Sequence, residues 1–320
     1  MFMQKANINN PSRIIISRTD NIGDVILTLP VVALLKEKFP QAKIIFLARN
    51  YVKDIVAAYP AVDQFIDSES LLKQSPEEQL KLFKALNADT IIHVFPNKAI
   101  AQLAKKANIQ NRIGTCRRLY HITTCNYRVN FTRKGSSQHE AQLNLKLLAP
   151  FGIDSHYTVS DLTPYFQLTP TLKLSEPWSH VLDSNRFNII VHPGSNGNTR
   201  EWPAYCFQEL IESLPKEQFN ILITGSEKEA ERFAPLLQAT ENQATNLMGK
   251  LKLSELLALI AACDGIVASS TGPLHIGAAM GVYALGLFPP VIGMDPSRWG
   301  PLGRNASYLV TPHACAGCAI

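Results

Sequence analysis

No stretch of this chain approaches the ~20 consecutive apolar residues that a membrane-spanning helix requires. The longest candidate, Ile276 to Gly293, is interrupted by Gly281, Gly286 and Pro289-Pro290. The first residues, Met1 to Ser12, are polar and lack the apolar centre of an export signal, so the cytoplasm is the expected compartment. Cysteine is scarce, at six in 320 residues, and Cys116, Cys125, Cys206 and Cys263 stand without metal-ligand spacing. Cys315-Ala-Gly-Cys318 is a C-x-x-C pair, but it offers two ligands where a structural zinc needs four. It reads as structural or incidental unless a partner supplies the rest. No G-x-G-x-x-G fingerprint is present, and no Ser/His/Asp order or Asp/His cluster argues for a hydrolytic triad or a metal site. Acidic side chains are missing altogether between Lys98 and Lys134, a span that holds nine Lys and Arg.

That gap gives the net charge of +5 its meaning. Residues 1–165 carry 21 Lys and Arg against 13 Asp and Glu, a balance of +8, and residues 166–320 carry 10 against 13, a balance of −3. The acid-free span, with the candidate acceptor-binding residues Arg112, Arg117 and Arg118 at its centre, reads either as a solvated basic face or as a surface for an anionic partner or anionic headgroups. Nucleic acid fits it poorly, because only Tyr120, Tyr127 and Phe131 interleave, in no binding motif.

What is present is alternation. Apolar runs at 13–17, 43–47, 64–67 and 90–94 read as strands, and the segments at 24–39, 51–59, 75–86, 99–107 and 140–148 as helices. A crossing at 160–173 with Pro164 and Pro170 has no period. The alternation then restarts, with strands at 188–192, 220–224, 265–268 and 284–288 and helices at 204–214, 228–238, 254–263 and from Leu274. Strands apolar throughout imply parallel sheets covered on both faces. The expected architecture is α/β, with two doubly wound halves at 1–165 and 166–320. Ligands of such sheets lie at the carboxyl ends of the strands, and between two halves the expected site is the cleft that separates them.

Four loops at such ends carry the chemistry. Arg18-Thr-Asp-Asn-Ile-Gly-Asp24 leaves the first strand, with Asp24 in the first turn of the next helix. A carboxylate there either complements the helix dipole or takes a proton from an alcohol. His192-Pro-Gly194-Ser195, continuing to Arg200-Glu-Trp-Pro203, is either a well-capped loop or a phosphate nest with Arg200 as a fixed charge. Within it Trp202 reads as a packing anchor and His192 as a structural histidine. Gly225-Ser-Glu227-Lys-Glu229 is either a capping turn or a ribose-binding carboxylate loop. Ser270-Thr271-Gly272-Pro-Leu-His275 joins a buried strand to a small-residue helix. It is either a plain capped turn or a seat for phosphate on unpaired N–H groups.

Together these segments resemble the family 9 glycosyltransferases, the group that holds the ADP-heptose:lipopolysaccharide heptosyltransferases. The matching residues are Gly23-Asp24-Val-Ile-Leu-Thr-Leu-Pro30, His192-Pro-Gly194 with Arg200-Glu-Trp-Pro203, Thr224-Gly-Ser226, Ser270-Thr-Gly-Pro-Leu-His275 and Arg298-Trp-Gly-Pro301. The resemblance spans nearly the whole chain. It implies a GT-B fold of two facing Rossmann-like domains, with acceptor on the first and sugar nucleotide on the second. It further implies inverting, metal-independent transfer to a lipopolysaccharide core acceptor at the cytoplasmic face of the inner membrane. No cofactor is implied beyond the nucleotide-sugar co-substrate, which by resemblance is ADP-heptose.

In that family pattern Asp24 is the general base, Arg200 faces the diphosphate, and Thr271 and Gly272 supply backbone donors. His275 lies near the phosphates, Leu251 near adenine, and Glu227 or Glu229 at the ribose. Ser270 departs from the pattern, because better-known members carry an acidic residue there. The expected donor sugar is therefore a heptose or a related sugar. Two other functions are weighed against transfer: a non-catalytic nucleotide-sugar or glycolipid binding protein, and a nucleotide-sugar epimerase of the same fold.

Overall fold

The computed structural model describes residues 8–195, 197, 200–291 and 293–310. The Cys315/Cys318 pair and residues 196, 198 and 199 of the loop after His192 lie outside the described residues. The chain divides into two compact units, Met1–Tyr165 and Phe166–Ile320.

The first unit holds a six-stranded, wholly parallel sheet of β1 (Arg13–Ser17), β2 (Lys43–Ala48), β3 (Gln64–Asp67), β4 (Thr90–His93), β5 (Asn111–Thr115) and β6 (Tyr127–Val129), in the order β3-β2-β1-β4-β5-β6. The second holds β7 (Phe187–His192), β8 (Phe219–Ile223), β9 (Ala244–Asn246), β10 (Gly265–Ser269), β11 (Tyr283–Phe288) and β12 (Ala306–Val310), in the order β12-β11-β10-β7-β8-β9. Both sheets have the same topology. The chain runs outward from the first strand, returns, and runs outward on its other side, so each has a switch point: between β1 and β4, and between β7 and β10.

The inner strands are apolar on both faces because helices cover both. On one face of the first sheet Ile15, Ile45, Leu47 and Ile91 pack on Phe83, Ile100 and Leu103. In the second, Val191, Ile221 and Ile223 pack on Phe207, Ile211, Phe233 and Leu236. Most connecting helices begin with their own caps. Ser75 caps Pro76–Ala85, Asn97 caps Lys98–Lys106, and Ser226 and Glu229 close a reciprocal box on Glu227–Arg232. The helices that leave β1 and β10, one switch-point strand in each unit, differ. Asn21, before Ile22–Ile26, and Thr271, before Gly272–Met280, are polar N-caps whose side chains make no cap hydrogen bond. The N–H groups of a helix's first turn have no intrahelical partner.

Several expectations are corrected. The helix read over 24–39 is two, Ile22–Ile26 and Leu29–Lys38. Pro30 has no N–H to return to Ile26, and the Thr28 hydroxyl instead donates to the Asp24 carbonyl at 2.9 Å. The helix read over 228–238 also divides, at Phe233, ahead of Pro235. The helix read over 140–148 is α-helical only over Glu140–Leu145 and then tightens to a 3-10 turn that contains Pro150. The crossing read over 160–173 is partly regular, with Val159–Leu162 helical and capped by Thr158.

Candidate active site

The end of β1 delivers a buried cation. Arg18, 2% exposed, donates from Nε to Asp20 at 2.7 Å, from Nη2 to Asp24, and from Nη1 to Glu140 at 3.1 Å and to the Asn144 side-chain oxygen at 3.3 Å. One guanidinium thus holds three carboxylates. Glu140 is equally buried and takes a second cation, Arg133, at 2.9 Å. Asn144 continues the network, donating to the Leu27 carbonyl at 3.0 Å while accepting from Arg133 at 2.8 Å. The Asp24 side chain is 14% exposed. Its Oδ1 is bound by Arg18, and its Oδ2 accepts no hydrogen bond among the described residues. Burial pushes the Asp20 carboxyl up to about 6, with the Asp24 charge adding to the rise and Arg18 opposing it. Arg49 and the Tyr51 hydroxyl both donate to the Asp20 carbonyl, at 3.0 and 2.9 Å, and fix the loop from its other side.

Sequence reasoning singled out Asp24 and missed Arg18, Asp20, Arg133, Glu140 and Asn144. Arg18 and Asp20 stand in the quoted loop. The signal available was an Arg that ends an otherwise apolar buried strand, a position that calls for carboxylates.

The second unit gathers the loops after β7, β8 and β10. Thr271, in extended conformation, turns the chain from β10 into the helix Gly272–Met280. Ser270, Thr271 and Gly272 are half-buried there, and His275 is buried one turn further on. The Ser269 hydroxyl donates to the Pro193 carbonyl at 2.9 Å, joining the β7 and β10 loops. Gly194 lies against Glu229, where a Cβ would stand 2.0 Å from the Glu229 carboxylate, so a side chain at 194 would have to displace it. His192 is buried, shares a 2.9 Å hydrogen bond with the Thr224 hydroxyl, and is pushed down to about 4 by burial. It is a neutral structural histidine, as read.

Three expectations change here. Ser195 is buried, and its N–H and hydroxyl both go to the Glu201 carboxylate, at 2.5 and 2.7 Å. Arg232 in turn pairs with Glu201 at 2.8 Å. A neighbouring carboxylate thus takes the Ser195 donors offered as part of a nest. Glu229 is a buried helix cap, bonded to the Ser226 N–H and hydroxyl at 2.8 Å, whereas Glu227 is exposed. The two candidates for a ribose carboxylate are therefore separated by burial. Trp202 meets Phe207 edge-on at 5.0 Å but remains more than a third exposed, so it is an incomplete anchor.

With Arg200, Pro203, Phe288, Pro289 and Leu309, Trp202 lines an apolar cavity of about 580 Å3 at the carboxyl end of β11. Leu251 is half-buried in the turn after β9. That turn is tied to the β8 loop by Gly249 N–H to the Gly225 carbonyl at 2.9 Å, with Gly249 left-handed at φ +72°.

Of the arginines in the acid-free span, Arg112 is a strap. It donates to the Thr124 carbonyl at 2.7 Å and to the Ile109 carbonyl. Arg117 and Arg118 are exposed. Among the described residues no group of three His, Cys, Asp or Glu side chains stands in metal-binding proximity, and no helix is long and apolar enough to cross a membrane.

Two doubly wound units in one chain, each with its loops gathered at a switch point, have the architecture of the GT-B fold. A sequence profile of glycosyltransferase family 9 (heptosyltransferase) matches residues 79–319, well over half the chain, and the chain belongs to that family. It is 28% identical over 305 residues to lipopolysaccharide heptosyltransferase 2 of Escherichia coli strain K12, covering 90% of this chain and 85% of that protein. Among solved structures it superposes on a family 9 glycosyl transferase from Veillonella parvula with a TM-score of 0.78, at 22% identity and over 96% of this chain and 88% of that one. It superposes on the E. coli ADP-heptose lps heptosyltransferase II with a TM-score of 0.73, at 23% identity and over 96% and 92% of the two chains.

Proposed function

We propose that this glycosyltransferase transfers a heptose or closely related sugar from a nucleotide diphosphate donor, ADP-heptose in the first instance, to a lipopolysaccharide core acceptor. The transfer is inverting and independent of a metal ion. The first unit takes the acceptor and the second the donor, and the enzyme works peripherally at the cytoplasmic face of the inner membrane. The similarity to the E. coli lipopolysaccharide heptosyltransferase 2 and ADP-heptose lps heptosyltransferase II supports the choice of both substrates.

The observation that carries the reading is the Asp24 carboxylate. It stands at the switch point of the first sheet, partly exposed, with one oxygen bound to Arg18 and the other accepting no hydrogen bond among the described residues. In the reaction Asp24 Oδ2 accepts the proton of the acceptor hydroxyl. The oxygen so freed forms a bond to the anomeric carbon on the face opposite the leaving group, and the bond from that carbon to the nucleotide diphosphate oxygen breaks in the same step. The expelled diphosphate carries the electron pair of that bond. The first-turn N–H groups of Gly272–Met280, together with Arg200, take up the charge, as donors aimed at developing negative charge do. Glu227, exposed at the start of its helix, holds the ribose hydroxyls, and Leu251 lies on the adenine face.

The test is Asp24→Asn, which preserves shape and removes basicity. Turnover should fall by about a thousandfold, within the usual worth of a general base, while the thermal shift produced by donor stays as in the parent protein. Turnover within a few-fold of the parent would remove Asp24 from the chemistry. Activity abolished by a chelator and restored by a divalent cation would overturn metal independence. Screening ADP-, GDP- and UDP-sugars by the same thermal shift tests the choice of base, since a ligand of the native state raises the melting temperature.

A further inference from the structure

The turn between β5 and the short helix His121–Thr124 presents apolar side chains to solvent. Leu119 is 86% exposed, the highest value among the large hydrophobic residues that stand out from the surface, and Ile122 is 57% exposed. They are three residues apart on one turn, closed by the Ile122 N–H on the Leu119 carbonyl at 3.0 Å, so they share a face. Arg117 and Arg118 precede them and Arg128 follows, all exposed.

The turn is fastened from beneath. His121 is fully buried, and its Nδ1 shares a 2.8 Å hydrogen bond with the Thr115 carbonyl. Its ring fills the space left by Gly114, where a Cβ would stand 2.6 Å from Nδ1. The Thr124 hydroxyl donates to the Tyr120 carbonyl at 2.8 Å, and Arg112 straps the Thr124 carbonyl. A single exposed leucine on a surface is unremarkable. Two on one fixed turn, flanked by guanidinium groups in a span without an acidic residue, match the composition of an element that lies in a lipid interface.

We propose that residues 116–123 form a lipid-contact tip. Leu119 and Ile122 enter the headgroup and upper acyl region of an anionic bilayer, and Arg117, Arg118 and Arg128 pair with its phosphates. The occupant is the bilayer surface. Charge complementarity selects a negative partner, and the apolar pair gives it something to enter that a soluble anion does not provide. The inference rests on the proposed use of a membrane-borne acceptor for its biological sense, but its test does not.

Full-length protein is sedimented with vesicles of phosphatidylethanolamine and phosphatidylglycerol and, separately, with phosphatidylcholine vesicles. Binding should be confined to the anionic vesicles. A Leu119→Ser/Ile122→Ser double variant should lower the partition coefficient about tenfold, the loss expected for two partly buried aliphatic side chains. An Arg117→Ser/Arg118→Ser variant should lower it roughly thirtyfold at low salt, as two juxtamembrane charges are lost. In a Leu119→Trp variant the added emission should shift to the blue on anionic vesicles.

Three results would overturn the proposal: no vesicle binding by the parent protein; equal binding by the Leu119/Ile122 variant; or binding abolished by millimolar inorganic phosphate with no blue shift, which would make the arginines a soluble-anion site. Turnover of a deacylated, water-soluble acceptor separates this inference from the proposed reaction. The Leu119/Ile122 variant should retain that activity and Asp24→Asn should lack it, so either idea can fail alone.

Discussion

At the scale of single residues the centre of the first unit is a charge-sharing problem. Arg18 is claimed by Asp20, Asp24 and Glu140, and Arg133 relieves it only at Glu140. Asp20 and Asp24 therefore compete for one guanidinium. When Asp20 is protonated, Arg18 is left more fully to Asp24; when Asp20 ionises, it draws the guanidinium back, so the hold on the proposed base follows the state of Asp20. Asp20 titrates at about 6, faced by Arg18, Asp24, Arg49 and Tyr51. The rate of transfer at saturating substrates should accordingly climb with pH through about 6. An Asp20→Asn variant should lose that limb. A limb that stays in place in the variant would assign it to another group. Arg18 and Glu140 are 122 positions apart. No local pattern links them, and for this reason Asp24 was legible in the sequence while the network that orients it was not.

At the scale of elements, the strands legible from sequence are those buried on both faces. β1, β2, β4, β7, β8 and β10 read as apolar runs because helices cover them twice over, and β11, fully buried only at alternate positions, was read from its apolar composition. β3 lies at an edge and was still read, from its short apolar centre. β5 carries Asn111, Arg112 and Gly114, β6 and β9 are three residues each, and β12 is an edge strand exposed through its middle, so none offers a periodic signal. The helix Gly272–Met280 was legible for a different reason. Its small residues mark a close approach, and Gly277 is where it occurs: a Cβ there would meet Ile266 of β10 at 2.5 Å. That contact sets how far the helix N-terminus stands from the end of β10, and so where its N–H groups point. Gly277→Ala should push the helix outward, costing about 1–3 kcal/mol as an overpacked core does, and should also weaken donor binding. Urea unfolding and donor titration on the same variant check both. Lost stability with donor affinity unchanged would mean that the helix start is held by something other than its packing on the sheet.

At the scale of the whole molecule, the repeated topology places a buried neutral histidine at the end of a switch-point strand in each unit. His93 ends β4 and is pushed down to about 3, chiefly by burial, and His192 ends β7 at about 4. Both lie below the value near 6.5 that each would have in the unfolded chain. The unfolded state therefore binds two more protons than the native state once pH falls below about 6.5, and stability declines on acidification at up to ~1.4 kcal/mol per pH unit for each histidine. Asp20 acts the other way. Its native value of about 6 lies above the unfolded one, so between the two the native state holds a proton that the unfolded state has released. This returns up to about one histidine's worth of slope over that window. The parent protein should lose stability between pH 6.5 and pH 4, with His121, which burial also lowers, adding to the slope. Asp20→Asn should steepen the slope, and His93→Asn or His192→Asn should flatten it. Because the two units have separate cores, the His93 variant should alter the acid sensitivity of the first and the His192 variant that of the second, which hydrogen exchange resolved along the chain can distinguish. Equal effects of either variant on both units would show that the two halves unfold as one cooperative body.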